Sequence, residues 1–172
     1  MKFERRFDNI KLIISDFDGV FTDGTGIIDE DGRVSKRINY HDVLVIALVF
    51  MAGIKVAIIT GEEAGAVKYL AGKFPDMKVF QGIKDKLPLV KQLAEENNLK
   101  PENILYVGDD VNDFQSLNFV GVKVTVPNSN FMVKSIPDII ITEKRGGEGV
   151  FREITDAVLY EKLNARYAGE IK

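Results

Sequence analysis

The chain has 172 residues, carries a formal net charge of -3 at pH 7 and contains no cysteine. The lack of cysteine excludes disulfides, thiolate metal sites and cysteine nucleophiles, and the negative charge argues against a nucleic-acid interface, which needs clustered lysine and arginine. No apolar run approaches the roughly 18 residues of a membrane-spanning helix, and the charged start does not resemble a secretory signal. We therefore expect a single cytoplasmic domain, residues 1–172, that acts on a small molecule without a nucleic-acid or membrane partner.

Short runs rich in isoleucine and valine alternate with helix-like segments, a pattern that predicts an α/β fold. We expect a three-layer, Rossmann-like parallel sheet. The predicted strands are residues 11–17, 55–60, 78–80, 104–107, 122–126 and 139–142. The predicted helices are residues 42–51, 63–73, 84–97, 112–117, 130–135 and 149–160, with a charged helical tail from about 160 to 172.

One interval, residues 26–38, breaks the alternation of strands and helices. Two short apolar runs, Ile27-Ile28 and residues 34–38, flank an acidic turn that contains Asp31-Gly32. Asp-Gly between apolar runs is a strong hairpin signal. We expect a small β-hairpin that projects from the sheet or pairs with another chain.

The first predicted strand runs directly into two carboxylates, Asp16 and Asp18. Ligands of open α/β sheets bind beyond the carboxyl ends of the strands, and a spacing of two in extended chain points both side chains the same way. One interpretation is a simple turn at Asp18-Gly19. A calcium loop fails because Val20 occupies its fifth position. The catalytic interpretation makes Asp16 an attacking carboxylate and Asp18 the acid and base for the leaving group.

A second strand, residues 104–107, ends in another acidic stretch that contains Asp109, Asp110 and Asp113. Magnesium is usually held by one or two carboxylates together with water and phosphate. If the fold brings Asp109 beside Asp16, the two side chains can supply such a site. Alone, the stretch is equally consistent with a turn at a helix start.

Two smaller features are suited to phosphate binding. Thr60-Gly61 follows a predicted strand, where a hydroxyl and a backbone N–H at a helix start can hold a phosphoryl oxygen. Lys86 precedes another helix and can neutralise charge during phosphoryl transfer. Taken singly, the first is equally a turn and the second a solvated lysine.

The order of these motifs, DFDGVFTDG, ITG, KDK and GDDVND, resembles the haloacid dehalogenase superfamily across nearly the whole chain. The resemblance implies a magnesium-dependent phosphatase in which Asp16 forms a phosphoaspartate and Asp18 is the general acid and base. It further implies phosphate binding by Thr60 and Lys86. The magnesium ligands would be the Asp16 and Asp109 carboxylates and the Asp18 backbone carbonyl, with Asp110 and Asp113 in support.

The interval between Gly24 and Thr60 is too short for the helical cap of many superfamily members, and the hairpin fills it. Such capless enzymes resemble the 3-deoxy-octulosonate 8-phosphate phosphatases, which form tetramers whose subunits complete one another's sites. We therefore expect a homotetramer. Those enzymes usually carry an arginine after the Thr-Gly pair, suited to a substrate carboxylate. This chain has Glu62, which can accept hydrogen bonds from hydroxyl or amide groups.

Glu62 and the loop at residues 143–153 most resemble phosphatases of nine-carbon keto-deoxy sugar acid 9-phosphates, the sialic-acid type. In that family the loop lies by the active site, which makes Lys144 and Arg145 candidate substrate contacts, together with Gly61, Glu62 and Lys73. The loop is also consistent with a plain turn into the last helix. One departure from the family pattern is Tyr40, where relatives carry a small hydroxyl residue.

The favoured hypothesis is a magnesium-dependent phosphatase of a nine-carbon sugar acid phosphate, with the eight-carbon 8-phosphate as the alternative. A phosphomutase is disfavoured because it needs a cap to retain its intermediate. A non-catalytic oligomerisation module would show eroded acids, whereas the motif acids are intact. We expect His41, the single histidine, to be structural or solvent-facing.

Overall fold

The computed structural model describes residues 7–168, with side chains up to residue 162. The first six residues and the last four residues of the predicted tail lie outside the described part, so the expectations for both termini stay predictions there. The strands are β1 Leu12–Ser15, β2 Ile27–Ile28, β3 Val34–Ser35, β4 Lys55–Ile59, β5 Lys78–Phe80, β6 Ile104–Val107, β7 Val122–Thr125 and β8 Ile140–Ile141. Six of them form one parallel sheet in the order β5-β4-β1-β6-β7-β8.

Helices cover both faces of the sheet, which explains why β1 is apolar at successive positions. The helices are α1 Tyr40–Met51, α2 Gly65–Lys73, α3 Leu87–Glu96, α4 Phe114–Phe119, α5 Phe131–Lys134 and α6 Val150–Ala168. Ile13 packs into the core cluster shared with α1, α2 and α6, whereas Leu12 and Ile14 pack with α3, α4 and α5 on the opposite face. A strand buried on both faces is expected to be continuously apolar.

The predicted three-layer α/β fold is confirmed, and the differences lie at the ends of elements. Every predicted helix except the first begins one to three residues later than expected, and α3 and α4 are examples. Lys86 is the residue before α3, whose second residue is Pro88, and a 3₁₀ turn, Val111–Asp113, precedes α4. The last helix continues through Ala168, into the predicted helical tail. Among residues 7–168, no helix combines the length and the apolarity required to cross a bilayer.

The hairpin predicted for residues 26–38 is present, and it forms a separate sheet of two antiparallel strands, β2 and β3. Its turn is held by Asp29, whose side chain accepts hydrogen bonds from the N–H groups of Asp31 and Arg33. Apolar side chains of both strands are exposed, with Ile27 at 76% and Ile28 at 70% relative accessibility.

A buried carboxylate joins α1 to α6. Asp42 lies in the first turn of α1 and accepts the backbone N–H of Arg152 at 2.7 Å, so its side chain caps the start of α6. Burial raises the pKa of Asp42 to about 7, although hydrogen bonds from the Arg152 and Phe151 backbone oppose this shift. Its neighbours Tyr40 and His41 are exposed.

Candidate active site

The turn after β1 carries the first two candidate carboxylates. The Asp16 N–H continues the sheet by donating to the Val107 carbonyl at 2.9 Å, and the residue as a whole is 5% exposed. The chain then folds back, because the N–H groups of Phe21 and Thr22 both donate to the Phe17 carbonyl. Asp18 is consequently half-buried and lies beside Asp16 at the end of the strand.

Gly19 lets this turn approach the end of β6. Its φ is +75°, and a Cβ at this position would lie 1.8 Å from Asp109 Oδ2. Any other residue would both strain the backbone and collide with that carboxylate. The glycine is therefore required for the turn of β1 and the acid after β6 to meet.

A buried cluster of charged and polar groups lies beneath the pocket. We call it the floor cluster, and its members are Asp16, Lys86, Tyr106 and Asp113. Lys86 Nζ lies 2.7 Å from both Asp16 Oδ2 and Asp113 Oδ1, and the Tyr106 hydroxyl donates to Asp113 Oδ1 at 2.7 Å. Asp113 Oδ2 accepts the N–H of Asp109 at 3.0 Å. Each buried charge thus has partners, as the cost of desolvation requires.

The carboxylates of the site outnumber the single buried ammonium group. Burial, followed by the charge of Asp113, raises the pKa of Asp16 well above its ordinary value. These two effects outweigh Lys86, whose charge and hydrogen bond lower that pKa. Burial raises the pKa of Asp109 to about 7, with further contributions from Asp113 and Asp110. Burial alone would lower the pKa of Lys86, but the charges and hydrogen bonds of Asp113 and Asp16 raise it. Like charges held this close favour a bound cation or proton.

Asp16 and Asp109 fit a magnesium ion. Asp16, Asp109 and Asp113 each offer a carboxylate oxygen within 4.8 Å of the others. Asp113 is fully buried, whereas Asp16 and Asp109 both line the pocket at the end of the sheet, so these two carboxylates are the ones placed to hold a metal. Hard oxygen donors of this kind, completed by water and phosphate, are the usual magnesium environment. A divalent cation there would offset the repulsion that raises the pKa values of both residues.

The candidate phosphate-binding residues reach the same place from β4. Thr60 is buried at the strand end, where its carbonyl accepts the Ile83 N–H at 3.0 Å, and Gly61 follows it. They line a pocket of about 240 Å³ together with the acids of the two turns. Its lining residues are Asp16, Asp18, Gly19, Gly24, Thr60, Gly61, Glu62, Lys84, Asp109, Asp110 and Asn112.

Two ion pairs stand at the mouth of this pocket, and we call them the rim pairs. Lys36, from the end of the hairpin, lies 2.6 Å from Asp18 Oδ2, and Lys84 Nζ lies 2.9 Å from Glu62 Oε1. Thr22 donates to the other oxygen of Asp18 at 3.1 Å. The hydrogen bond and charge of Lys84, with a further contribution from Lys36, lower the pKa of Glu62. Glu62 therefore stays ionised between two lysines.

Sequence reasoning missed Lys36 and Lys84, and it named Asp113 as a supporting residue without predicting its contacts with Lys86 and Tyr106. Lys84 lies inside the KDK motif. The motif was a usable signal for Lys84, because its other lysine, Lys86, was predicted to bind phosphate. Lys36 had no such signal, since only the folded hairpin brings it to Asp18. Asp110, predicted as supporting, is exposed at the pocket and caps the following 3₁₀ turn through a 2.8 Å bond from the Val111 N–H.

Among the residues that the structure describes, three predicted substrate contacts do not line the pocket. Lys73 is exposed at the end of α2, with Nζ 5.9 Å from the Tyr69 ring centroid. Lys144 and Arg145 are exposed in their loop. The loop itself packs on the turn after β1, because a Cβ at Gly146 would lie 2.1 Å from the Gly19 carbonyl oxygen. Substrate binding by these three residues stays a prediction.

A larger pocket, about 400 Å³, lies at the opposite edge of the sheet, where β6 and β7 begin. It is lined by Asp8, Asn9, Glu102, Gly121, Val122, Lys123, Asp138 and Ile140. None of the motif residues reaches it. The smaller pocket is therefore the candidate active site, because the acids, the Thr-Gly pair and the rim pairs converge there.

Known proteins share these features. Residues 72–154 match the sequence profile of a haloacid dehalogenase-like hydrolase family. Over 152 residues the chain is 34% identical to the 3-deoxy-D-manno-octulosonate 8-phosphate phosphatase of Salmonella typhi. The aligned region covers 88% of this chain and 80% of that protein.

Two solved structures are similar over nearly their whole length. The 3-deoxy-D-manno-octulosonate 8-phosphate phosphatase of Moraxella catarrhalis, in complex with a magnesium ion, a phosphate ion and a KDO molecule, superimposes with a TM-score of 0.87 at 28% identity. The match covers 98% of this chain and 97% of that chain. The cobalt-bound deoxy-D-mannose-octulosonate 8-phosphate phosphatase of Haemophilus influenzae gives a TM-score of 0.84 at 28% identity, covering 92% of each chain.

Proposed function

The chain belongs to the haloacid dehalogenase-like hydrolases, in the family of the 3-deoxy-D-manno-octulosonate 8-phosphate phosphatases, and on this premise we propose its substrate and mechanism. It is a phosphoric monoester hydrolase. We propose that it releases the terminal phosphate of a keto-deoxy sugar acid, with the eight-carbon 8-phosphate as the first candidate. The observation that carries the proposal is the meeting of the Asp16 and Asp109 carboxylates, from distant parts of the chain, within 4.8 Å.

In the proposed first step, an oxygen of Asp16 attacks phosphorus and the bond to the sugar oxygen breaks. The hydrogen bond from the Phe17 N–H at 2.6 Å and the contact with Lys86 orient the attacking carboxylate. Asp16, Asp109 and the Asp18 carbonyl would hold a magnesium ion, which when bound would supply positive charge against the phosphoryl oxygens. The phosphoryl group is thereby transferred to Asp16 as an aspartyl phosphate.

Asp18 moves the protons in both proposed steps. In the first step its carboxyl group donates a proton to the departing sugar oxygen. In the second step the resulting carboxylate takes a proton from the water that attacks phosphorus, so that Asp16 and inorganic phosphate are released. Thr22 and Lys36, each in contact with one Asp18 oxygen, hold the side chain for this work.

Thr60, Gly61 and Lys86 are the proposed phosphate binders. The Thr60 hydroxyl and the Gly61 N–H lie at the end of β4 and line the pocket beside Asp16. Lys86 contacts the attacking carboxylate directly and adds positive charge where the phosphoryl group is transferred. These contacts act on the phosphoryl group whatever alcohol is attached to it.

The identity of the sugar acid is decided by the outer part of the pocket. Full-length similarity to octulosonate 8-phosphate phosphatases favours the eight-carbon substrate. Glu62 keeps the nine-carbon 9-phosphate as a second candidate, because its carboxylate can accept hydrogen bonds from additional hydroxyl or amide groups.

A substrate panel tests this proposal. Phosphate release is measured with the eight-carbon 8-phosphate, the nine-carbon 9-phosphate and 4-nitrophenyl phosphate, with and without Mg²⁺, for the natural chain and Glu62→Arg. We expect the highest kcat/KM for the eight-carbon substrate. A preference for the nine-carbon substrate that Glu62→Arg reverses would establish the second candidate instead. Absence of Mg²⁺-dependent phosphate release from all three compounds would contradict the phosphatase proposal and favour a non-catalytic assembly module.

We also propose that the enzyme is a homotetramer assembled through its hairpin. Ile27, Ile28 and Val34 of the hairpin, with Leu44 and Met51 of α1, are exposed apolar side chains, and such patches usually mark protein contacts. Light scattering is expected to give four times the chain mass, and Ile28→Lys is expected to lower it. A monomeric natural chain would contradict this assembly. We place the enzyme in the cytoplasm, because a phosphorylated sugar acid carries charges that an apolar bilayer excludes.

A further inference from the structure

Lys84 and Glu62 form a rim pair whose position is more informative than its strength. Their side chains are 75% and 68% exposed, and an ion pair in that setting adds little to stability. Both residues nevertheless line the pocket that contains Asp16 and Asp109. They follow β4 and β5, two neighbouring strands of the sheet. A pair with little structural value at the mouth of a catalytic pocket is suited to contact with the substrate.

The pair lies over the backbone that follows the proposed phosphate-binding threonine. A Cβ built on Gly61 would be 3.8 Å from Lys84 Nζ. The ammonium group is therefore next to Gly61 without being part of the floor cluster. A ligand whose phosphate is bound at Thr60 and Asp16 would extend past Lys84 on its way out of the pocket.

Lys84 also has unused binding capacity compared with the two other lysines of the site. Lys86 is buried and contacts both Asp16 and Asp113, whereas Lys36 is mostly shielded and contacts Asp18. An ammonium group has three N–H donors. Lys84 donates to one oxygen of the exposed Glu62, so its ammonium group can bind a second anion without breaking a buried interaction.

A sugar acid phosphate has two anionic groups, and the floor of the pocket accounts for one of them. We propose that Lys84 binds the carboxylate of the sugar acid, and that Glu62 keeps the lysine over the pocket while accepting a hydrogen bond from a substrate hydroxyl. This inference rests on the proposed function and extends it, because it assigns the group that distinguishes sugar acids from other phosphate esters. Glu62 itself cannot bind a carboxylate, whereas the adjacent ammonium group can.

The test compares Lys84→Gln with a matched control, Lys78→Gln. Lys78 forms a similar exposed pair with Glu96 at 2.7 Å, but it lies at the opposite, amino end of β5. Kinetics are measured with the eight-carbon sugar acid phosphate and with 4-nitrophenyl phosphate, which lacks a carboxylate. We expect Lys84→Gln to raise KM for the sugar acid phosphate about tenfold with little change in kcat. The control is expected to leave KM for both substrates unchanged.

The aryl phosphate separates this inference from the phosphatase proposal. We expect Lys84→Gln to keep the kcat/KM of the natural chain for 4-nitrophenyl phosphate. An equal rise in KM for both substrates would overturn the inference, since it would show general attraction of the phosphate group. An unchanged KM for the sugar acid phosphate would overturn it as well. In either case, Mg²⁺-dependent hydrolysis by the natural chain would leave the phosphatase proposal standing.

Discussion

The floor cluster and the exposed rim pair, Lys84 and Glu62, use the same chemistry, lysine against carboxylate, in opposite environments. On the floor, Lys86 is fully buried between Asp16 and Asp113, where an unpaired charge would be costly. At the exposed rim pair, solvent screens the attraction between Lys84 and Glu62. The difference indicates that the floor fixes the geometry of phosphoryl transfer, whereas the exposed rim pair can change with little effect on the fold and so can set substrate choice.

The largest expected effect belongs to the attacking carboxylate. Asp16→Asn removes the proposed nucleophile while keeping the shape of the side chain, and we expect turnover to fall at least about 10³-fold. Steady-state phosphate release measures the loss, and circular dichroism checks that the fold is kept. Activity close to that of the natural chain would exclude Asp16 as the nucleophile.

The stability of the floor is tested next by Asp113→Ala. This change leaves Lys86 and Tyr106 buried without their shared partner, and breaking a buried pair typically costs about 3–5 kcal/mol of unfolding free energy. Urea denaturation measures the cost. Asp110→Ala is the matched control, because Asp110 is an exposed acid of the same turn. Equal, small losses for both variants would contradict the structural role of the floor cluster.

Asp42 tests whether burial also raises the pKa of a carboxyl group that lies away from the pocket. Burial raises its pKa from 3.8 to about 7, so between these values the folded chain holds a proton that the unfolded chain has lost. The stability contributed by this proton is complete below the lower value and disappears as the pH rises through the upper one. Relative to Asp42→Asn, the natural chain is expected to lose at least about 1 kcal/mol of unfolding free energy between pH 5 and pH 8.

Urea denaturation of both chains at the two pH values measures this difference. Because every other titrating group is common to the two chains, the comparison isolates Asp42. Parallel pH profiles would show that the buried carboxyl titrates at its ordinary value.

The smallest expected effect on stability is at the rim. Glu62→Gln removes one charge of an exposed pair, and we expect the midpoint of urea unfolding to stay unchanged. The same variant should alter the relative kcat/KM values of the sugar acid phosphates. A marked loss of stability would mean that the rim is structural and would weaken its assignment to substrate choice.

The sequence predicts the floor better than the rim, for a physical reason. Strands buried on both faces are continuously apolar, so the acids that end β1 and β6 stand out, and the topology of parallel sheets brings such ends to one edge. The first residues of α3 and α4 were less predictable, because local turn geometry decides where each helix begins.

The contacts of Lys36, Asp42 and Asp113 could not be predicted in the same way. They depend on how the hairpin folds over the turn, how α1 meets α6, and which acid of GDDVND faces inward. Each is a tertiary contact between residues whose local sequence is equally suited to solvent. The matching order of motifs did identify the family, but it contained no information about these partners.

The central claim is that the carboxylate of Asp16 becomes covalently phosphorylated. Asp18→Asn lacks the proposed base for the second step, and 4-nitrophenyl phosphate needs no acid in the first step, so the intermediate should accumulate. After acid quenching, borohydride reduction converts an aspartyl phosphate to homoserine, which peptide mass spectrometry locates. We predict homoserine at position 16 and only with Mg²⁺ present, whereas its formation at another aspartate, or at none while phosphate is still released, would contradict the account.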